Sequence, residues 1–244
     1  MYLYKKVFAI VLFFSSTIAF CQENEDEGYF SELTIGVNFN TNANIVGGIA
    51  AKYIREGKKG QYHFFGLELV NVKHPKEQRY QSSSSGNLYI HQKVNNLIPL
   101  RLQYGREFVV FRPAEEEGVQ INFVVAGGPS IGIVKPYMVE YDYGSYTLIE
   151  PFDENKNRNI LGSAGLFAGF EHSKIVPGLN LKAAFNFEFS QFRGSVTGIE
   201  AGALIEGFTE HVKLVAIPSF VKPQPYNANF FSSVFVTIFF GFRN

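Results

Sequence analysis

Cysteine is almost absent from this chain. Cys21 is the only one, and it falls in a segment that reads as a removable leader, so no disulfide framework can hold the mature fold. Charge of one sign is missing too: Lys and Arg number 22, as do Asp and Glu. No basic stretch is concentrated enough to form a nucleic-acid face. Beyond the leader no apolar run approaches the roughly 20 residues of a membrane-spanning helix, which excludes a helical membrane protein. Histidine is sparse, and His74, His91 and His211 lack ligand spacing, so no metal or cofactor is expected. No G-x-S-x-G occurs. His63 and His172 share parity with outward-facing residues, but neither has a Ser two positions away on the same strand face. No catalytic residue is therefore expected, and the chain reads as a non-enzyme.

The front of the chain looks like an export signal. Lys5 and Lys6 precede the apolar run Val7–Phe14, and Ala19 and Cys21 stand at the −3 and −1 positions of a cleavage site before Gln22. Acylation of Cys21 would want a small residue just before it, and Phe20 is large. The reading is a signal peptide over 1–21 and one domain over 22–244, with 22–29 a flexible, acidic lead-in.

What the chain has in abundance is aromatic residues, with 26 Phe and 13 Tyr, and alternation. Leu179, Leu181, Ala183, Phe185, Phe187 and Phe189 fall on one side of a period-two pattern. Asn180, Lys182, Ala184, Asn186, Glu188 and Ser190 fall on the other. Such a period means a strand. A greasy face backed by a polar one suits a strand between lipid and a polar lumen. The pattern predicts strands at Ser31–Asn40, Ile45–Ile54, Gln61–Val72, Leu88–Phe108, Val119–Val134, Ile160–His172, Leu179–Phe192, Val196–Phe208 and Phe230–Phe242. A Tyr-rich stretch, Tyr137–Ile149, alternates loosely. Counting it gives the even number that bacterial barrels favour. The expectation is an all-β, antiparallel up-and-down transmembrane β-barrel of about 10 strands, with 8 the alternative. A β-sandwich is disfavoured because its outer face should carry frequent charges.

Inward parity gathers Lys52, Glu68, Arg101, Lys182, Glu188, Glu200 and Glu206. In so narrow a barrel, a lumen network of ion pairs that plugs the interior is favoured over a solute path. Pro99 and the Gly127-Gly128-Pro129 run are expected to mark bulges or kinks, and Glu115–Glu117 a solvated turn. The loop His211–Asn229, with Phe220, Pro223, Pro225 and Tyr226, offers restrained aromatics to a partner.

The segments Asn96–Gly105 and Ala126–Gly132, with the ending Phe239-Phe-Gly-Phe-Arg243, resemble the PorT-like small outer-membrane barrels of Bacteroidota. The resemblance implies an outer-membrane location, contact with outer-membrane lipid and insertion by the barrel assembly machinery. It carries over no functional residue. The function expected is structural or protein-interacting, with an envelope protein as possible partner and an association with secretion or envelope assembly. The alternative is a narrow pore or transport-associated component.

Overall fold

Alternation becomes strands wherever the two faces differ in polarity, and the strands here have chosen opposite solvents for those faces. The computed structural model describes residues 31–43, 46–57, 60–75, 77–112, 118–156, 158–165, 167–189, 194–216 and 228–243. The segments expected to be leader and lead-in, Glu115–Glu117 and the residues Phe220, Pro223, Pro225 and Tyr226 lie outside them.

In chain order the strands are β1 (Ser31–Asn40), β2 (Gly48–Glu56), β3 (Gln61–Val70), β4 (Arg79–Gln81), β5 (Leu88–Ile90), β6 (Asn95–Phe111) and β7 (Gln120–Pro136). They continue with β8 (Met138–Asp142), β9 (Thr147–Pro151), β10 (Ile160–Ser163), β11 (Lys174–Glu188), β12 (Ser195–Val212) and β13 (Ala228–Arg243). Eight of them close into a barrel in the order β1-β13-β12-β11-β7-β6-β3-β2. Every ladder is antiparallel, and the ring is sealed by β1 against β13, with Ile35 opposite Phe240. No helix among the described residues is long and apolar enough to cross a membrane.

The polarity of the wall is inverted. Leu179 is 70% exposed and Leu181 60%, while Lys182 and Glu206 on the inner face are 3% and 1% exposed. Leu33, Ile35, Phe65, Leu67, Val234, Ile238, Phe240 and Phe242 continue the greasy outer surface.

The barrel has eight strands, not ten. The Tyr137–Ile149 and Ile160–His172 stretches leave the wall and form a separate three-stranded sheet, β10-β8-β9. Among the described residues of the second stretch Ile160–Ser163 is a strand and Phe170–His172 a 3-10 turn. Both segments do alternate, but they pair with each other instead of with the barrel. Around the ring the long 71–94 and 137–173 connections share one end, the long-loop end, and the β2–β3 and β11–β12 connections the other. The 152–159 segment, awkwardly long for a short-turn end, belongs to the long-loop end.

Pro99 marks a lapse instead of a bulge. The β3–β6 ladder stops at Leu69–Leu100 and resumes as the bridge Val72–Leu97 in the same register. The register shift in β6 lies at Val109/Phe111. At Gly128 the approach is close enough to require glycine, because a Cβ would sit 2.2 Å from the Leu102 carbonyl oxygen.

Above the long-loop end sits a cap. β4 and β5 make a hairpin. Tyr137, Val139 and Tyr141 form a small core with Ile90, Tyr143, Phe152 and Ile160 around it. The chain leaving β12 folds across the mouth: Val94 N–H donates to the Leu214 carbonyl (2.9 Å) and Ala216 N–H to that of Gln92 (2.7 Å). Leu214 and Val215 of that segment pack with Val72, Leu97, Val176, Phe208 and Val212 in one apolar cluster.

Candidate functional site: the polar lumen

All seven lumen residues picked out by parity face inward, and the closed ring brings them together. Arg101 on β6 holds Glu206 on β12 with a two-pronged contact, Nε to Oε1 and Nη2 to Oε2, both 3.0 Å. Its Nη1 reaches Glu68 at 3.4 Å. Lys182 on β11 donates to Glu68 on β3 and lies near Glu200 on β12, each at 2.6 Å. Lys52 on β2 bridges Glu200 and Glu107, the latter at 3.1 Å. Arg243 on β13 joins Glu188 and Glu32.

The geometry matters because most of these pairs are not between neighbours. β6 and β12, β11 and β3, and β2 and β12 each stand three places apart around an eight-strand ring, so the ion pairs cross-brace the cylinder. Amides and a hydroxyl fill the gaps. Ser130 donates to Glu206 (2.6 Å), Asn180 to Ser130 (3.0 Å), Gln103 to Asn180 (3.1 Å) and Asn122 to Glu188 (2.7 Å). Phe64 and Phe235 supply ring faces 4.8 Å from the ammonium groups of Lys52 and Lys182. Buried charges persist only when paired and hydrogen-bonded, and this network meets that condition.

Glu32, Glu107 and Arg243 are network members that the sequence reading missed. The signal was available: Glu107 shares parity with Arg101 and Gln103, and Glu32 with Thr34 and Asn38. A void of about 10 Å³ is lined by Glu32, Lys52, Asn186, Glu200 and Thr237 among others, room for about one water. Glu32 Oε1 and Asn186 Oδ1 are buried without a hydrogen-bond partner, so one water there would have two acceptors. The arrangement suits a plug.

The histidines do not converge. His63 lies on the outer wall with Nδ1 2.7 Å from the Tyr104 hydroxyl. His172, expected on a strand, sits in the 3-10 turn beside Glu171.

The cap carries its own charges. Lys93 is buried 2.9 Å from Glu77, and burial pulls its pKa below the ordinary lysine value against that carboxylate. Glu150 accepts from Lys156 (2.6 Å) and the Tyr143 hydroxyl (2.8 Å). These bonds hold its carboxyl below the usual range, the Lys156 bond first. The same bond raises Lys156.

No family model and no curated protein sequence matches the chain. Two solved structures are similar at low levels. One is Ail, the attachment invasion locus protein of Yersinia pestis, in complex with the heparin analogue sucrose octasulfate. It is 11% identical with a TM-score of 0.38, over 88% of this chain and 97% of that one. The other is Neisserial surface protein A, 8% identical with a TM-score of 0.37, over 91% of this chain and 100% of that one. At such scores the strand count and closure rest on the hydrogen-bonded ladders of this chain alone.

Proposed function

We propose that this protein is a non-enzymatic outer-membrane β-barrel, sealed by its lumen network, that offers the cap at its long-loop end to other molecules. The observation that carries the reading is the inversion of the wall, with charged Glu, Lys and Arg inside and exposed Leu, Ile and Phe outside. Water would not tolerate a continuous apolar belt of that extent, and lipid requires it. The export signal at the front and long connections gathered at one end agree with an outer-membrane setting. Wall-to-wall ion pairs and the apolar cluster packed with the mouth-crossing segment favour a structural or interaction role over a pore. An association with secretion or envelope assembly rests on the PorT-like resemblance, and affinity capture from native outer membranes tests it.

Fractionation tests the location: the folded chain should appear in the outer-membrane fraction and need detergent for extraction. Recovery of folded protein from periplasmic extract without detergent overturns the reading. In planar bilayers the purified barrel should give no stable conductance, and single-channel steps that change in Glu200→Gln would overturn the sealed lumen.

A further inference from the structure

We propose that the free edge of β9 accepts a short, extended, basic peptide segment as an added strand. This deepens the interaction role above and rests on it. The cap sheet runs β10-β8-β9, so among the described residues one side of β9 has no strand beside it. Which groups face that side follows from the register. Tyr143 N–H donates to the Tyr146 carbonyl (3.0 Å) at the hairpin tip, and Phe152 N–H to that of Tyr137 (2.9 Å) at its base. The pairs between them alternate, so Tyr141–Leu148 and Val139–Glu150 are the hydrogen-bonded ones. Asp142–Thr147 and Glu140–Ile149 are then the wide pairs, and their β9 members turn N–H and C=O away from β8. Thr147 and Ile149 therefore present a donor and an acceptor each to the free edge, and Pro151 a carbonyl only.

An unpaired edge is a template for another strand, commonly blunted by lysine. β9 carries none. Two of its side chains are instead open and apolar, Leu148 being 45% and Ile149 53% exposed. Pro151 ends the ladder and limits the guest to a short segment.

Charge selects the guest. Glu140 and Asp142 stand directly across from Ile149 and Thr147 on the same sheet face. The 137–173 connection around them holds six acidic residues against two basic ones. Glu150, on the opposite face, is already tied to Lys156. A guest strand alternating basic and apolar residues bonds Thr147 and Ile149 with its main chain and puts its long cationic side chains on that face, reaching over β9 toward the Glu140–Asp142 row.

The test titrates the detergent-solubilised full chain with a short peptide of alternating Lys and Val, following amide exchange by NMR. Saturable binding with protection of the Thr147 and Ile149 amides is expected. Ile149→Pro deletes one edge-facing donor and leaves the β8 ladder whole, so it should weaken binding about tenfold, the order of one lost main-chain hydrogen bond. Glu140→Lys combined with Asp142→Lys should weaken it at least as much, and stands if the proline variant disturbs the hairpin. Unchanged affinity in both variants overturns the proposal, as does equal affinity for a Glu–Val peptide. Protection of the same amides by anionic lipid vesicles without peptide assigns the edge to lipid and also overturns it. None of these results touches the need for detergent, which tests the barrel reading separately.

Discussion

In the lumen, Lys182 on β11 reaches Glu68 on β3, residues 114 positions apart in sequence. In the cap, Glu150 reaches Lys156 only six positions away, and the core is three aromatic or aliphatic side chains on one short stretch, Tyr137, Val139 and Tyr141. The barrel interior is thus tied by long-range, charge-bearing contacts that exist only once the ring has closed. The cap is tied by local hairpins, a small apolar core and the main-chain bonds of 92–94 with 214–216. The difference teaches that the two regions should fail separately: the barrel all at once, the cap by itself.

The largest effect should come from breaking the cross-brace. Arg101→Ala leaves Glu206 and Glu68 without their guanidinium in a buried setting, and such losses cost about 3–5 kcal/mol. The urea midpoint of the barrel in micelles should fall accordingly. Pairing Arg101→Met with Glu206→Leu should recover much of the loss, because the stranded charge is removed with its partner. A single variant no less stable than the wild type would mean that water reaches the lumen freely.

A smaller effect, confined to the cap, is expected from Val139→Ala. Val139 is fully buried in the cap core, and deleting its methyl groups should lower the cap's own opening free energy by about 2 kcal/mol. Faster exchange at the β8 and β9 amides with an unmoved barrel midpoint supports separate failure. A shift of both together would show that cap and barrel are one cooperative unit.

The same contrast explains which parts were legible in the sequence. Parity alone placed Lys52, Glu68, Arg101, Lys182, Glu188, Glu200 and Glu206 inside, because an inverted barrel needs every second residue to match its solvent. It could not say that Tyr137–Ile149 and Ile160–His172 leave the wall, since a hairpin packed on a small core alternates just as a barrel strand does. Length separates them only in the folded chain: β8 and β9 have five residues each and β10 four, short of the roughly 9–11 a tilted transmembrane strand needs, whereas the two alternating stretches are long enough to span. Partner choice across the lumen was out of reach, because which Glu meets which Lys depends on stagger around the ring, not on parity.

The smallest expected effect concerns the one cap ion pair whose titration has a clear sign. Glu150 has its pKa lowered in the folded chain, so its contribution is present above the ordinary carboxylate range and is lost as pH falls through the lowered value. Lys156 has its pKa raised by the same contact, so its contribution is full below the ordinary lysine value and is lost as pH rises through the raised one. Between these limits β9 should be held most firmly to the 152–156 turn. Amide exchange in β9 should therefore be slowest relative to the intrinsic rate at neutral pH and should quicken toward strong acid. Lys156→Met should flatten that acid dependence with little change at the barrel amides. The partly exposed setting of both side chains keeps the effect modest and salt-sensitive. An acid dependence that survives in Lys156→Met would transfer the titration to another pair.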